Sequence, residues 1–458
     1  MSADETGGGT PAGAPGRPAP RVLQRAEHRL SRSLVSANAI KVLYRLQRAG
    51  FDSYLVGGAV RDLLIGRTPK DFDVGTNARP SQVKHLFRNA RLIGRRFRLA
   101  LITFAEETVE VATFRRSPEP PEIEDGGDAD ALAPVAEVEE YGTPAEDAWR
   151  RDFTVNGLFY NIADFSVIDH VGGLEDLEQG VIRTIGEPNA RFLEDPVRMM
   201  RAVEYAARLG FRIDEETAAA IAAQGAEIRR AAPARIAFEL GESLKGGQAL
   251  PIFRGLEEHG LLVHVVPEAH AALSRRSDGL LWRLLAVADQ AVQRGDRVPE
   301  EALLGTLFLP SFLTAVEVDG RPVLEIPEAE QVIREELEAP ALRLAFSNYR
   351  GHLLRHAFMM LLRLSAPPRS AKSVVRTVRH EAFPTAWSLA RFLAAATGLH
   401  KDAVAAWEQA IDRLEQGLPA VEGGRRPEGG EDKKRRRRRP RRRRSGRQIA
   451  PAAQGGAA

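Results

Sequence analysis

Leu55-Val-Gly-Gly-Ala-Val-Arg-Asp-Leu-Leu-Ile-Gly66, followed by Lys70-Asp-Phe-Asp-Val74, is the stretch on which the reading of this chain turns. Ser53–Val56 is apolar and β-prone and reads as a short strand, Gly57-Gly58 as a turn and Ala59–Ile65 as a helix. A strand that runs through Gly-Gly into a helix presents bare backbone N–H groups at a helix N-terminus, a geometry suited to phosphate. Arg61 falls in the first turn of that helix, where its guanidinium could reach a phosphate oxygen. Taken alone, the Gly-Gly pair is equally a tight turn with no ligand. Asp71–Val74 reads as a second strand, with Asp71 and Asp73 on one face and Phe72 and Val74 on the other. Two carboxylates held side by side repel, and a divalent cation compensates them. Mg²⁺ favours carboxylates together with substrate phosphates, and two such ions about 4 Å apart can activate a hydroxyl and stabilise a leaving pyrophosphate.

Outward from this stretch the order of elements suggests an α+β protein. Residues 1–20 are rich in Gly, Pro and Ala and read as a disordered leader without an apolar signal segment. Apolar spacing predicts an amphipathic helix from about Arg21 to Ala49, ended by Gly50. Pro80 opens a helix through Phe87, and β-branched runs near 91–94, 97–104 and 107–114 read as strands. Glu110 sits between two inward valines, so it faces the side expected for the two aspartates and is a third acidic candidate. Residues 117–149 contain no basic residue and read as an acidic loop. Arg150-Arg151-Asp152 then opens a predicted helix that places Asp152 and Asn156 on one face. A helix over Pro196–Leu209, with Asp195 as N-cap and Gly210 as its stop, carries Arg198, Arg201, Tyr205 and Arg208 in one polar stripe. Asp195 and Arg198 together offer an acceptor and donors suited to a base edge. Helical periodicity continues to about Leu418.

Composition narrows the class. The 458 residues predict about three domains, and the 43% hydrophobic content supports real cores. With no cysteine there is no disulfide framework and no thiolate site. No apolar run approaches 18 residues, so no membrane span is expected, and a cytoplasmic location follows as an expectation. The net charge of +3 hides an asymmetry: residues 424–447 carry +11, which leaves −8 for the rest. That tail, with Arg435, Arg436, Arg437, Arg441 and Arg442 at its centre, is expected to be disordered and to bind RNA phosphates.

The ordered set Gly57-Gly58-x-x-Arg61-Asp62, Asp71-x-Asp73, Arg150-Arg151-Asp152-x3-Asn156 and Glu194-Asp195-x2-Arg198 resembles the class II nucleotidyltransferases, the bacterial poly(A) polymerases and CCA-adding enzymes. Within that family Leu92-Ile-Gly-Arg-Arg-Phe-Arg-Leu99, Tyr141-Gly-Thr and the basic tail look more like the poly(A) polymerases. The resemblance implies a nucleotidyltransferase head with a mixed or antiparallel sheet at 21–163, a helical neck at 164–245 that binds nucleotide and RNA, a helical body at 246–418 that binds RNA, and a disordered Arg-rich tail at 419–458. It implies catalytic Asp71, Asp73 and Glu110, with Mg²⁺ on the two aspartates. Gly57, Gly58 and Arg61 would meet triphosphate, Arg151, Asp152 and Asn156 triphosphate and ribose, and Asp195 and Arg198 the base. The implied activity is addition of AMP from ATP to RNA 3′ ends with release of pyrophosphate, and the implied partners are RNA, ATP and RNA-decay proteins. CCA addition to tRNA is the alternative within enzymes, and a non-catalytic RNA-binding protein the alternative outside them.

Overall fold

The computed structural model describes residues 19–94, 99–116, 141–275, 279–318, 321–322 and 326–421. The leader up to residue 18, residues 117–140 of the acidic segment and the basic tail with its five named arginines lie outside the described residues.

An eight-stranded mixed sheet forms the head. Its strands are β1 (Arg21–Leu23), β2 (Ser53–Val56), β3 (Asp73–Thr76), β4 (Ala90–Ile93), β5 (Leu99–Thr103), β6 (Thr108–Thr113), β7 (Leu158–Asn161) and β8 (Val167–Asp169), in the order β1-β8-β7-β2-β3-β6-β5-β4. Only β3 and β6 run parallel; every other neighbouring pair is antiparallel. Period-two alternation splits the faces. Leu55, Val74, Val109 and Val111 point into the main core, together with Val42, Leu43 and Leu46 of helix α1 (Ala37–Arg48). The opposite face carries a small cluster of Val56, Phe114, Ala148 and Phe159. Val56 pairs with Asp73 and Val111 with Val74, so Asp73 and Glu110 share that second face.

Four sequence expectations change here. The helix expected from Arg21 begins only at Ala37, where the Ser36 hydroxyl accepts from Ala39 N at 3.0 Å; residues 21–23 instead pair with β8 at the sheet edge. The strand expected at Asp71 starts at Asp73, because its partner β2 ends at Val56 and leaves nothing to pair with Asp71. The acidic segment ends in a helix, α4 (Pro144–Arg150), which follows α2 (Gly58–Leu64) and α3 (Pro80–Leu86) in the chain. Thr143 and Glu146 close a reciprocal capping box at its start. The head boundary expected at 163 falls inside the sheet, since β8 lies beyond it.

After the sheet come α5 (Gly173–Gln179), the short parallel pair β9 (Val181–Ile182) and β10 (Arg212–Ile213), α6 (Pro188–Glu194), α7 (Val197–Leu209), α8 (Glu215–Gln224) and α9 (Pro233–Lys245). The remainder is helical apart from a small hairpin: α10 (Ala249–Glu258), α11 (Leu262–Val265), α12 (Pro267–Arg275), α13 (Leu280–Gln293), α14 (Glu300–Val316), α15 (Ile326–Arg343), α16 (Asn348–Leu364), α17 (Ala371–Val378), α18 (Phe383–Thr397) and α19 (Lys401–Glu415). One apolar core runs from Leu30 in the head to Ala420. No helix among the described residues is long and apolar enough to cross a membrane.

Candidate active site

A cavity of about 340 Å³ opens between the head sheet and α7 and α9. Its lining contains Gly57, Gly58, Asp73, Arg151, Asp152 and Asn156 from the head, and Asp195, Arg198, Arg201, Tyr205 and Arg235 from the helical side. The sequence therefore brings together seven of its nucleotide-binding candidates and one of its acidic ones.

Gly57 caps α2 with φ +73°, a conformation glycine adopts without strain. A Cβ there would stand 2.9 Å from Arg151 Nη1, so the absent side chain also lets Arg151 cross the turn. Arg151 is held by Asp147 at 3.1 Å, donates to the Asn156 carbonyl at 3.3 Å and lies over the Phe159 ring.

Arg61 departs from its expected role. Its side chain is buried, donates to Asn156 Oδ1 at 2.6 Å and to Asp62, and stacks on Tyr205; it does not line the cavity. It braces Asn156 from behind. The helix expected to start at Arg150 is also absent, because α4 ends there; Thr154–Asn156 form a single 3-10 turn. Asp152 and Asn156 nevertheless meet, with Asn156 Nδ2 donating to Asp152 Oδ1 at 3.0 Å.

Asp152 is the hub of the site. Arg201 contacts its Oδ2 through Nε at 2.9 Å and Nη2 at 2.7 Å, and the Phe153 N–H donates to Oδ1 at 2.8 Å. Burial alone would raise the Asp152 carboxyl, but the Arg201 charge and the hydrogen bonds from Asn156, Arg201 and Phe153 N outweigh it and leave the carboxyl below its ordinary value. Arg201 also donates to the Tyr205 hydroxyl at 2.8 Å. Burial pushes that phenol up to about 12.

Of the three acidic candidates, Asp73 lines the cavity, whereas Asp71 and Glu110 are not part of its wall. Asp73 is held up to about 7, first by burial and then by the charges of Asp71 and Glu110, against the opposing pull of Arg151. Glu110 is raised by burial and by Asp71. These shifts place the three carboxylates within electrostatic reach of one another, although Asp71 sits in the loop before β3. As placed, no group of three His, Asp or Glu side chains among the described residues closes around an ion. Two or three carboxylates beside arginines suit a hard cation that fills its remaining positions with water and phosphate oxygens.

Asp195 and Arg198 both face the cavity but are differently held than expected. Asp195 ends α6 and does not cap α7, whose N-cap Pro196 has no side-chain hydrogen bond. Arg235 grips the Asp195 carboxylate with two bonds of 2.8 and 2.9 Å. Arg198 donates to Glu194 at 2.8 Å and to the Arg191 carbonyl at 3.1 Å. Arg208 leaves the stripe, since it pairs with Glu204. Arg235 was not singled out by sequence because it lies 40 residues from Asp195 in the chain. Arg201 and Tyr205 carried a signal, the helical stripe, but no indication of their partner.

This arrangement of glycine turn, carboxylates and arginine-lined cavity defines a nucleotidyltransferase site in a head followed by helical domains. Residues 53–183 match the family described as the poly A polymerase head domain, and residues 210–273 that described as a probable RNA and SrmB-binding site of polymerase A. Poly(A) polymerase I of Salmonella typhi is 39% identical over 386 residues, 81% of this chain and 81% of its own. Poly(A) polymerase I of Haemophilus influenzae is 33% identical over 392 residues, 84% and 86% of the two chains. The chain belongs to the bacterial poly(A) polymerase family. The CCA-adding enzyme of Bacillus subtilis is 38% identical over 212 residues, 46% of this chain and 51% of its own. A CCA-adding enzyme solved with ATP shares the fold at a TM-score of 0.54 and 20% identity, over 88% of this chain and 87% of its own.

Proposed function

We propose that this polynucleotide adenylyltransferase adds AMP from ATP to RNA 3′ ends without a template and releases pyrophosphate. The observation that supports the reading is one cavity lined by Asp73 and Arg151 from the head and by Asp195 and Arg198 from the helical side. Asp71 and Asp73, with Glu110 beside them, would hold Mg²⁺. When bound, the ion supplies charge neutralisation at the α-phosphate and a more acidic RNA 3′-hydroxyl. The bond formed joins the 3′-oxygen to the α-phosphorus, and the bond broken releases pyrophosphate. Arg151 is placed to stabilise the charge that develops on the leaving phosphates. The Gly57-Gly58 turn lets the backbone approach them closely. Asp152 and Asn156, fixed by Arg201 and Arg61, are positioned to accept and donate to the ribose. Asp195 and Arg198 read the base edge. The tail supports RNA retention by its charge. The chemistry, a soluble nucleotide and RNA, fits a cytoplasmic protein that acts beside RNA-decay proteins.

CCA addition is the second reading, supported by relatives that share about half of the chain and by the common fold. ATP and CTP supplied separately to a short generic RNA and to a tRNA lacking its 3′ end decide between them. Repeated AMP addition to both RNAs is expected. CMP addition confined to the tRNA overturns the reading.

A further inference from the structure

Basic residues are concentrated in one folded segment far along the chain. Between residues 339 and 401 there are ten Lys or Arg and one carboxylate, Glu381. Two of the ten are neutralised locally: Arg343 by Glu268 and Arg350 by Glu300. Glu381 accepts from or shares a proton with His352 at 2.9 Å. Two of the others, Arg363 and Arg369, line a second cavity of about 460 Å³ at the junction of α16, α17 and α19. Arg363, Arg369, His356 and His380 line it together with Met359 and Met360, and no carboxylate contributes to its wall. Arg363 and Arg369 are exposed, and among the described residues neither forms an ion pair. The His356 and His380 rings stand 5.2 Å apart, and the His352 ring lies tilted against His356 at 4.1 Å. His356 is held below its ordinary value, first by burial and then by the charges of His352 and His380.

Two guanidiniums in a wall without a carboxylate give the cavity a positive field that attracts an anion. The wall also offers flat rings and thioethers, which suit a nucleobase face. A space of this size holds a nucleotide unit with its phosphate.

We propose that this cavity is a docking site for single-stranded RNA, gripping the strand upstream of its reacting 3′ end by phosphate contacts from Arg363 and Arg369 and by stacking against His356. The inference rests on the RNA-directed function proposed above. It adds a folded anchor distinct from the nucleotide cavity and from the basic tail.

The test measures single-stranded RNA binding to the full chain by fluorescence anisotropy over a range of salt. Arg363→Glu/Arg369→Glu is compared with a charge-matched control, Arg48→Glu/Arg88→Glu, in which two exposed head arginines are reversed. A milder Arg363→Ala/Arg369→Ala variant and thermal melts guard against misfolding. The expected result is a loss of about tenfold in affinity at roughly 0.1 M salt for the alanine variant, with a log–log salt slope shallower by about 1.4, two phosphates at about 0.7 each. The control should bind like the parent. Affinity and slope equal to the parent in both cavity variants, or equal losses in the control, would overturn the proposal. So would a melt shift with inorganic phosphate or free ATP that depends on Arg363 and Arg369 while RNA affinity does not, since the occupant would then be a small anion. A parent protein that binds RNA in this way but transfers no AMP would instead sink the function proposed above and leave the docking site standing.

Discussion

Asp73 shows how a residue proposed to act in the chemistry can be costly to the fold. Burial beside Asp71 and Glu110 raises its carboxyl to about 7, so its charged form is disfavoured in the folded protein. Removing that charge should not weaken the fold. Asp73→Asn is expected to abolish AMP transfer while its thermal midpoint stays equal to or above the parent's. Asp71 lies exposed in the loop before β3, and Asp71→Asn should behave likewise. Activity above a few per cent in either variant, with an intact melt, would remove both carboxylates from the catalytic role. Arg235 offers a second test at this scale. Its two bonds fix the Asp195 carboxylate, so Arg235→Ala and Arg198→Ala should each lower the ratio of ATP to CTP kcat/KM. Because Arg235 is half exposed, the stability loss should stay at about 1 kcal/mol or less. An unchanged ratio in both variants would leave these residues with a structural role only. Asp195→Ala should cost no α7 N-cap, since Asp195 closes α6 through its backbone N–H and its side chain caps neither helix.

Between elements, the junction of head and α7 contains the Arg201–Asp152 charge pair beside the Arg61 and Phe153 contacts with Tyr205. Arg201→Met strips Asp152 of the charge that offsets its burial, and the expected cost is roughly 3 kcal/mol, with loss of ATP binding. A chemical-denaturation midpoint equal to the parent's would show that the junction is held elsewhere. Gly57→Ala should be weakened differently: its positive φ costs about 1 kcal/mol, and its Cβ pushes on Arg151. What was legible in the sequence follows the range of the interactions. The strand–Gly-Gly–helix unit, Pro80 at the start of α3 and Gly210 after α7 are local effects of backbone preference, and all three elements form within a residue or so of expectation. Glu110 was legible because alternation along β6 fixes its face. The partners of Asp152 and Asp195 were not, because they lie 49 and 40 residues away and depend on how α7 and α9 pack against the head. The partner of Arg61 was not legible for the same reason: Asn156, which accepts from its guanidinium, lies 95 residues on. The edge strand β1 carries too few residues to show a period, and its partner β8 lies far along the chain.

For the whole molecule, charge is divided between a folded body and a terminal tail. The folded part ends later than periodicity indicated: Arg413 donates to the Pro419 carbonyl at 2.8 Å, and Ala420 is buried against the core. A truncation that tests the tail therefore belongs after Val421, where it removes residues 424–447 and their +11 without opening the core. The tail has no aromatic residue between 424 and 447 to stack on bases, so its hold on RNA should be through phosphates and insensitive to sequence. The truncated protein is expected to keep its melt and its single-turnover rate at saturating RNA, because Asp71, Asp73 and α7 are untouched. Its RNA affinity should fall at low salt, and its salt slope should be shallower by about 0.7 for each phosphate the tail neutralises. The remaining slope should still respond to Arg363→Ala/Arg369→Ala if the body holds RNA independently, which separates the two anchors by their additivity. Equal slopes for the full and truncated chains would show that the tail does not hold RNA. A lost single-turnover rate would show that the tail takes part in the chemical step itself.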